Sequence, residues 1–416
     1  MAGTEFFGGA GRALATPSFR LYFIGHTLAT VGRWMKRTAV GWLAWQLTES
    51  PAWLGIIAFA DLLPTVVLAI VAGAISDRFG IMRIMRLSQV LAAMLSLLFG
   101  ALIMIGWIDI YMTVVLTLLF GAFESMGQPA RMSAVHAVVP QRDLSSAIAL
   151  TSASFNAARI VGPGIAGALI LWSNAGVVIA LCAATFLAFY LVLLKLDFGT
   201  PRDGGTKSPK ALLEDIRFGI AYAFAHPGLR FVFILLAATS FLIRPVIELL
   251  PGISDRVFNA GPAGLSFLLA AIGVGAMTAS LWLAQRGDTK GLTRLLVSST
   301  SVTGIALMLA MAFPRIWVAA TFLVIMGAAM LVGNVAAQTL VQNTVDSSFR
   351  SRVMSLFIVF AYGLPAVGAV IMGWVSSYAG FPAAIGGGAL FMLVFWAWAR
   401  PQQAATGALL ETHKAD

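Results

Sequence analysis

Twelve predominantly apolar stretches, each long enough to cross a lipid bilayer, follow one another through this chain of 416 residues. The hydrocarbon core offers no water to backbone N–H and C=O groups, so a spanning segment is a helix of about 20 apolar residues or a strand of a closed barrel. The stretches lie at about 19–47, 52–75, 82–106, 111–138, 144–171, 175–195, 229–250, 262–284, 291–313, 316–344, 350–377 and 381–400. Their lengths select helices. Hydrophobic residues make up 59% of the chain and charged residues 11%, against roughly a quarter charged in soluble proteins. A soluble fold of this composition lacks the charge to cover its surface, which excludes a cytosolic enzyme, a secreted domain and a disordered chain.

One long break, Leu196 to Gly228, divides the spans six and six. The expected organisation is an N-terminal six-helix bundle over 1–195, a linker over 196–228, a C-terminal six-helix bundle over 229–400 and a tail over 401–416. Within the linker, Lys210 to Phe224 reads as an amphipathic helix on the membrane surface. The formal net charge of +10 then reports topology. With the N-terminus inside, 20 of the 27 Lys and Arg fall in cytoplasmic segments, two (Arg256 and Arg315) fall outside, and five lie within spans. This positive-inside bias puts both termini in the cytoplasm and argues against nucleic-acid binding. Residues 1–18 are Gly/Ala-rich and lead into a span too long for a signal-peptide core.

Redox and cofactor chemistry find little purchase. Cys182 is the single cysteine, and the four histidines show no ligand spacing. The Gly8 to Gly11 run follows no strand and lacks the Lys-Ser/Thr of a phosphate loop, and no nucleophile–base pair appears. No metal, cofactor, direct ATP use or enzyme activity is expected.

The two halves repeat. Thr16-Pro-Ser-Phe-Arg20 precedes span 1, and His226-Pro-Gly-Leu-Arg230 precedes span 7, 210 residues on. Asp77-Arg-Phe-Gly80-x-x-Arg83 and Asp288-Thr-Lys-Gly291-x-x-Arg294 follow spans 2 and 8 at an offset of 211. Parallel six-span repeats imply two bundles related by a pseudo-two-fold axis along the membrane normal, with a substrate path between them.

Gly73-Ala-Ile-Ser-Asp77-Arg78-Phe-Gly80-Ile-Met-Arg83 resembles the loop 2–3 motif of the major facilitator superfamily, G-x-x-x-D-R-x-G-x-x-R, at every fixed position. Gly32 to Arg37, Gly121 to Arg131, Phe155 to Gly167 and Ala337 to Pro365 resemble its bacterial exporter branch, the one that includes siderophore exporters of the enterobactin type. Ser351 stands where that branch often has Gly. The resemblance implies an all-α fold of twelve membrane helices, a gate at Gly73, Asp77, Arg78, Gly80 and Arg83, and a monomeric secondary transporter. Arg159, Gly162, Pro163 and Gly167 partly resemble the superfamily's antiporter motif, although that motif ends in a glycine pair and here Ala168 follows Gly167.

Ionisable groups at bilayer depth are costly and face a cavity or a partner. Arg33, Lys36 and Arg37 share one helical face, and Asp61, Glu124 and Glu248 are the acids at comparable depth. At the repeat offset Arg33 corresponds to Arg244, Arg37 to Glu248 and Glu124 to Asn334. The resemblance places spans 1, 4, 7 and 10 around a central cavity. Arg33, Arg37, Arg244, Glu248, Asn334 and Gln338 are therefore the expected contacts of an anionic or mixed-charge small molecule, since guanidinium forks suit carboxylate-like groups. Glu124 is the expected proton-coupling carboxyl, with Asp61 second, and Arg159 is expected to support an acid of the cavity. Proton-driven export by alternating access is the reading these residues favour. An uptake facilitator or lysolipid transporter of the same fold, and a non-transporting scaffold or sensor, remain as rivals.

Overall fold

Proline starts the first long helices of both halves. It supplies a preset φ and lacks an N–H that a first turn could not use. In the computed structural model, which describes residues 8–196, 219–286, 290–346 and 349–411, all regular structure is helical. A short α1 (Gly8–Ala15) precedes α2 (Pro17–Thr48), α3 (Pro51–Phe79), α4 (Ile81–Met104), α5 (Ile110–Val138), α6 (Leu144–Trp172) and α7 (Ala175–Leu194). After α8, described over 219–225, come α9 (Pro227–Leu242), α10 (Val246–Gly252), α11 (Gly261–Arg286), α12 (Leu292–Ala312) and α13 (Ile316–Thr344). The chain closes with α14 (Arg350–Ile358), α15 (Leu364–Ala379), α16 (Phe381–Ala399) and α17 (Gln403–Leu410). Most of the amphipathic helix expected at Lys210 to Phe224 lies outside the described residues.

Eleven helical segments among the described residues are long and apolar enough to cross a membrane, so the chain is a multi-pass membrane protein. The 32-residue α2 is not among them, because Arg20, Arg33, Lys36 and Arg37 interrupt its apolar run.

The repeat is written in the backbone. Helices α2 and α9 both begin on proline, 210 residues apart. Helices α4 and α12 start 211 apart, after Gly80 (φ 88°) and Gly291 (φ 76°). Only glycine takes such values without strain. Among the described residues, the two non-glycines with positive φ, Glu49 and Asn259, are also 210 apart, in the turns that follow α2 and α10.

The chain divides into two compact units, Met1–Leu47 with Leu63–Ser208, and Thr48–Leu62 with Pro209–Asp416. In the first, α4 packs on α5 and α7. Gly25 of α2 lies against Phe189 of α7, and a side chain at Gly162 of α6 would strike Trp34 and the Val31 carbonyl of α2. The second has its core among α9, α12, α13 and α14, around Phe233, Leu236, Leu340 and Phe357.

Two spans read as continuous in the sequence are interrupted. The stretch at 229–250 breaks at Ile243–Pro245 between α9 and α10. Pro245 has no N–H for the Phe241 carbonyl, and the residue before a proline is pushed out of the helical region. The stretch at 350–377 contains a π-helical turn, Val359–Gly363. Pro365 likewise cannot donate to the Ala361 carbonyl.

Candidate functional site

Two polar clusters lie inside the helical units, one in each. In the first, Tyr22, His26, Thr30 and Arg33 recur at near-helical spacing along α2, and Glu124 and Arg131 stand two turns apart on α5. Arg33 Nη1 and Arg131 Nη2 each donate to Glu124 Oε2 at 3.1 Å. Arg131 Nη2 also donates to the Glu124 backbone carbonyl at 3.0 Å, and the Tyr22 hydroxyl donates to the Arg131 carbonyl at 3.0 Å. Arg33 Nη2 donates to Thr30 Oγ1 at 2.5 Å, and Thr30 in turn donates to the His26 carbonyl. The carboxylate is 13% exposed and its two guanidiniums 19% and 10%, so screening by water is small and the pairs hold α2 to α5. Glu124 Oε1, by contrast, is buried without a hydrogen-bond partner among the described residues.

Sequence spacing put Arg33, Lys36 and Arg37 on one face as mutually repelling cations. The structure sends them to different surroundings. Arg33 pairs with Glu124. Lys36 is buried with its ammonium 3.8 Å from the centre of the Phe120 ring. The Arg37 guanidinium lies over Trp34 at 5.5 Å, and Arg159 of α6 lies over the same indole at 5.5 Å. Facing an aromatic ring partly offsets a buried cation's lost hydration.

The second cluster sits at the interruption of the seventh stretch. Arg244, in the break, donates through Nη1 to the Ala361 carbonyl at 2.6 Å and through Nη2 to Asn334 Oδ1 at 2.9 Å. The Ala361 carbonyl is the one that Pro365 deprives of an α-helical donor. Both acceptors are neutral, and Arg244 has no ion-pair partner among the described residues. A pocket between α9, α12 and α13 is lined by Arg244, Asn334, Thr239, Ser240, Ser299 and Thr303. Ser240 is fully buried there, and its hydroxyl has no hydrogen-bond partner among the described residues.

Other expected residues are spread more widely. Glu248 opens α10 and Gln338 follows Asn334 by one turn of α13; both are half-buried. Asp61 belongs to the second unit, whereas Glu124 belongs to the first. Of the gating motif, Gly80 makes the turn into α4 and Arg83 is exposed. The side chains of Asp77 and Arg78, and the surroundings of Gly73, lie outside the described residues. Pro163 and Gly167 are buried in α6 beside the Gly162 contact.

Sequence reasoning missed Arg131, which was counted among the cytoplasmic loop charges and is instead a helical partner of Glu124. The seven-residue interval, close to two helical turns, was the available signal. It also missed Tyr22 and the hydroxyls of Ser240, Ser299 and Thr303, whose spacing does not set them apart from ordinary membrane-helix residues.

A multi-pass helical chain with ionisable groups held inside its helical units, one of them at a broken helix, has the construction of a secondary transporter. The family of transmembrane secretion effectors, within the major facilitator superfamily, matches residues 10–403, and the chain belongs to it. This is a transporter family and not an enzyme family. Among similar proteins, the staphyloferrin A transporter of Staphylococcus aureus is 25% identical over 366 residues, covering 85% of this chain and 88% of the relative. The multidrug efflux pump Tap of Mycolicibacterium fortuitum is 26% identical with the same coverages. The enterobactin exporter EntS of Shigella flexneri is 23% identical over 86% of this chain and 84% of its own. The fold is shared with a D-xylose–proton symporter (TM-score 0.70, 12% identity, 90% of this chain and 97% of that one). It is also shared with an inward-facing bacterial homologue of the human lysosomal transporter Spinster (TM-score 0.69, 15% identity, 95% and 98%).

Proposed function

We propose that this chain is a proton-coupled exporter of a small anionic or amphiphilic molecule, working by alternating access across a bacterial inner membrane. The observation that carries the reading is the unequal fate of two arginines at repeat-equivalent positions. Arg33 is neutralised by Glu124. Among the described residues, Arg244 has an amide and a backbone carbonyl as its partners and no counter-charge. A guanidinium away from bulk water without a counter-charge is costly, and an incoming anion is the species that relieves it. Its remaining N–H donors suit a carboxylate, phosphate or catecholate.

The division of labour follows. Arg244 and Asn334 receive the anionic group, with Gln338 and Glu248 of the same unit completing the contacts. Glu124 is the proton site, and Asp61 is the second candidate. A proton arriving at Glu124 displaces a guanidinium, so protonation is tied to movement of α2 against α5. Twelve membrane helices in two six-helix bundles about a pseudo-two-fold axis, with both termini cytoplasmic and a gate at the Asp77 loop, complete the architecture. The backbone repeat at offsets of 210 and 211 supports it. The names of the relatives, which include a siderophore exporter and an efflux pump, support export.

A thermal-shift screen of the purified protein against matched anionic and cationic amphiphiles tests the assignment. Anions should raise the melting temperature of the wild type, and Arg244→Gln should abolish that rise without changing the ligand-free melting temperature by more than a few degrees. Stabilisation by cations alone, or by anions in Arg244→Gln as strongly as in wild type, contradicts it.

A further inference from the structure

The C-terminal helix ends on a carboxylate that does the work of a helix cap for a distant element. Glu411, directly after α17, accepts the Gly291 backbone N–H at Oε2 (2.5 Å) and the Thr293 N–H at Oε1 (2.7 Å). These are among the N–H groups that the first turn of α12 leaves without partners, and α12 has no capping side chain from its own N-cap residue, Gly291. The carboxylate also meets the positive end of the helix dipole. Apolar packing backs the bonds. Leu410 is buried at 5% exposure, and a side chain at Gly228, in the first turn of α9, would come within 2.5 Å of the Leu410 side chain. Thr406, one turn earlier, is buried as well. A single turn, Arg400–Gln402, joins α17 to the end of α16.

One short helix therefore ties the same end of α9, α12 and α16 together. The far end of α9 is the break at Ile243–Pro245 that carries Arg244. We infer that α17 and Glu411 form a strap that makes α9 move as one body with α12 and α16, so that bending of the seventh stretch is confined to the break. Glu411 acts through α12 and α9 and touches no substrate group. It is a positioning residue for Arg244, and this role lies beyond the transport reading above.

Hydrogen–deuterium exchange on the full chain in lipid nanodiscs tests this. In Glu411→Ala, peptides covering 291–296 should exchange about tenfold faster, because two charge-assisted bonds are lost. Peptides covering 229–236, which Glu411 does not touch, should also exchange severalfold faster, while those within 316–344 keep their wild-type rate. Glu411→Gln, which retains one carbonyl acceptor, should fall between the two and decides the matter if the alanine variant does not fold. Faster exchange at 291–296 with 229–236 unchanged reduces Glu411 to a local cap and overturns the strap. No change in either segment overturns it too.

Discussion

At the scale of single residues, the electrostatic pattern is asymmetric across a symmetric sequence. Glu124 gathers Arg33 and Arg131 on one oxygen and leaves the other bare. Its repeat counterpart Asn334 is neutral and accepts from Arg244. Replacing an acid by an amide at this one position removes the counter-charge in the second unit and leaves it in the first. Arg131→Met would leave the carboxylate with Arg33 as its remaining guanidinium, and the protein's stability should fall by about 1.5–3 kcal/mol through the lost charge-assisted bond. A Tm measured in detergent checks this, and an unchanged Tm would show that Arg33 suffices. The pairing of Arg33 with Glu124 was half legible: both were singled out by their depth, but no sequence rule joins residues 91 apart. Arg131 was hidden by the positive-inside count, which treats any arginine near a span end as a loop charge.

At the scale of elements, two prolines set the architecture of the second unit. Pro245 strips the Phe241 carbonyl of its donor, and Gly368 of α15 lies so close that a Cβ there would stand 2.5 Å from that oxygen. A Cβ at Gly388 of α16 would likewise stand 3.1 Å from the Leu242 carbonyl oxygen. Glycine lets neighbouring backbone reach a bare carbonyl and shelter it. Gly368→Val should cost about 1–3 kcal/mol through overpacking, read as a lower Tm, whereas Gly386→Val, with open space around it, should leave Tm unchanged. Equal losses in both variants would deny Gly368 its particular role. Pro245→Ala returns an N–H to the Phe241 carbonyl and should straighten the break, displacing Arg244 from Asn334. Anion-dependent stabilisation should then fall at least tenfold in apparent affinity. The prolines were visible in the sequence, but the apolar runs around them read as unbroken, because hydropathy averages over the one residue that matters. The glycines facing them lie more than 100 residues away, beyond any local pattern.

At the scale of the whole molecule, the all-helical, multi-pass character, most helix limits and the repeat offset were readable, since bilayer thickness and backbone satisfaction leave few choices. The first long helix is the exception to simple hydropathy: its charges, which serve the interior cluster, make it the least apolar of the long helices. The proposed orientation, with both termini cytoplasmic, rests on the charge bias and is open to direct test. Asn259→Cys, in the turn after α10, should react with an impermeant thiol reagent added outside intact cells. A cysteine replacing Gly407 should react only after lysis. Cys182 is buried and gives a quiet background. Labelling of both positions from the same side would overturn the topology.

The proposed transport cycle couples substrate movement to protons through Glu124 while Arg244 holds the anionic group. Its most direct measurement uses purified protein in liposomes and an anion identified by thermal shift, comparing accumulation driven by an imposed pH gradient with counterflow at equal pH. The wild type should do both. Glu124→Gln should lose gradient-driven accumulation by at least tenfold and keep counterflow within about twofold, since removing the coupling group spares binding and the conformational cycle. Gradient-driven accumulation at the wild-type rate in Glu124→Gln would contradict the account.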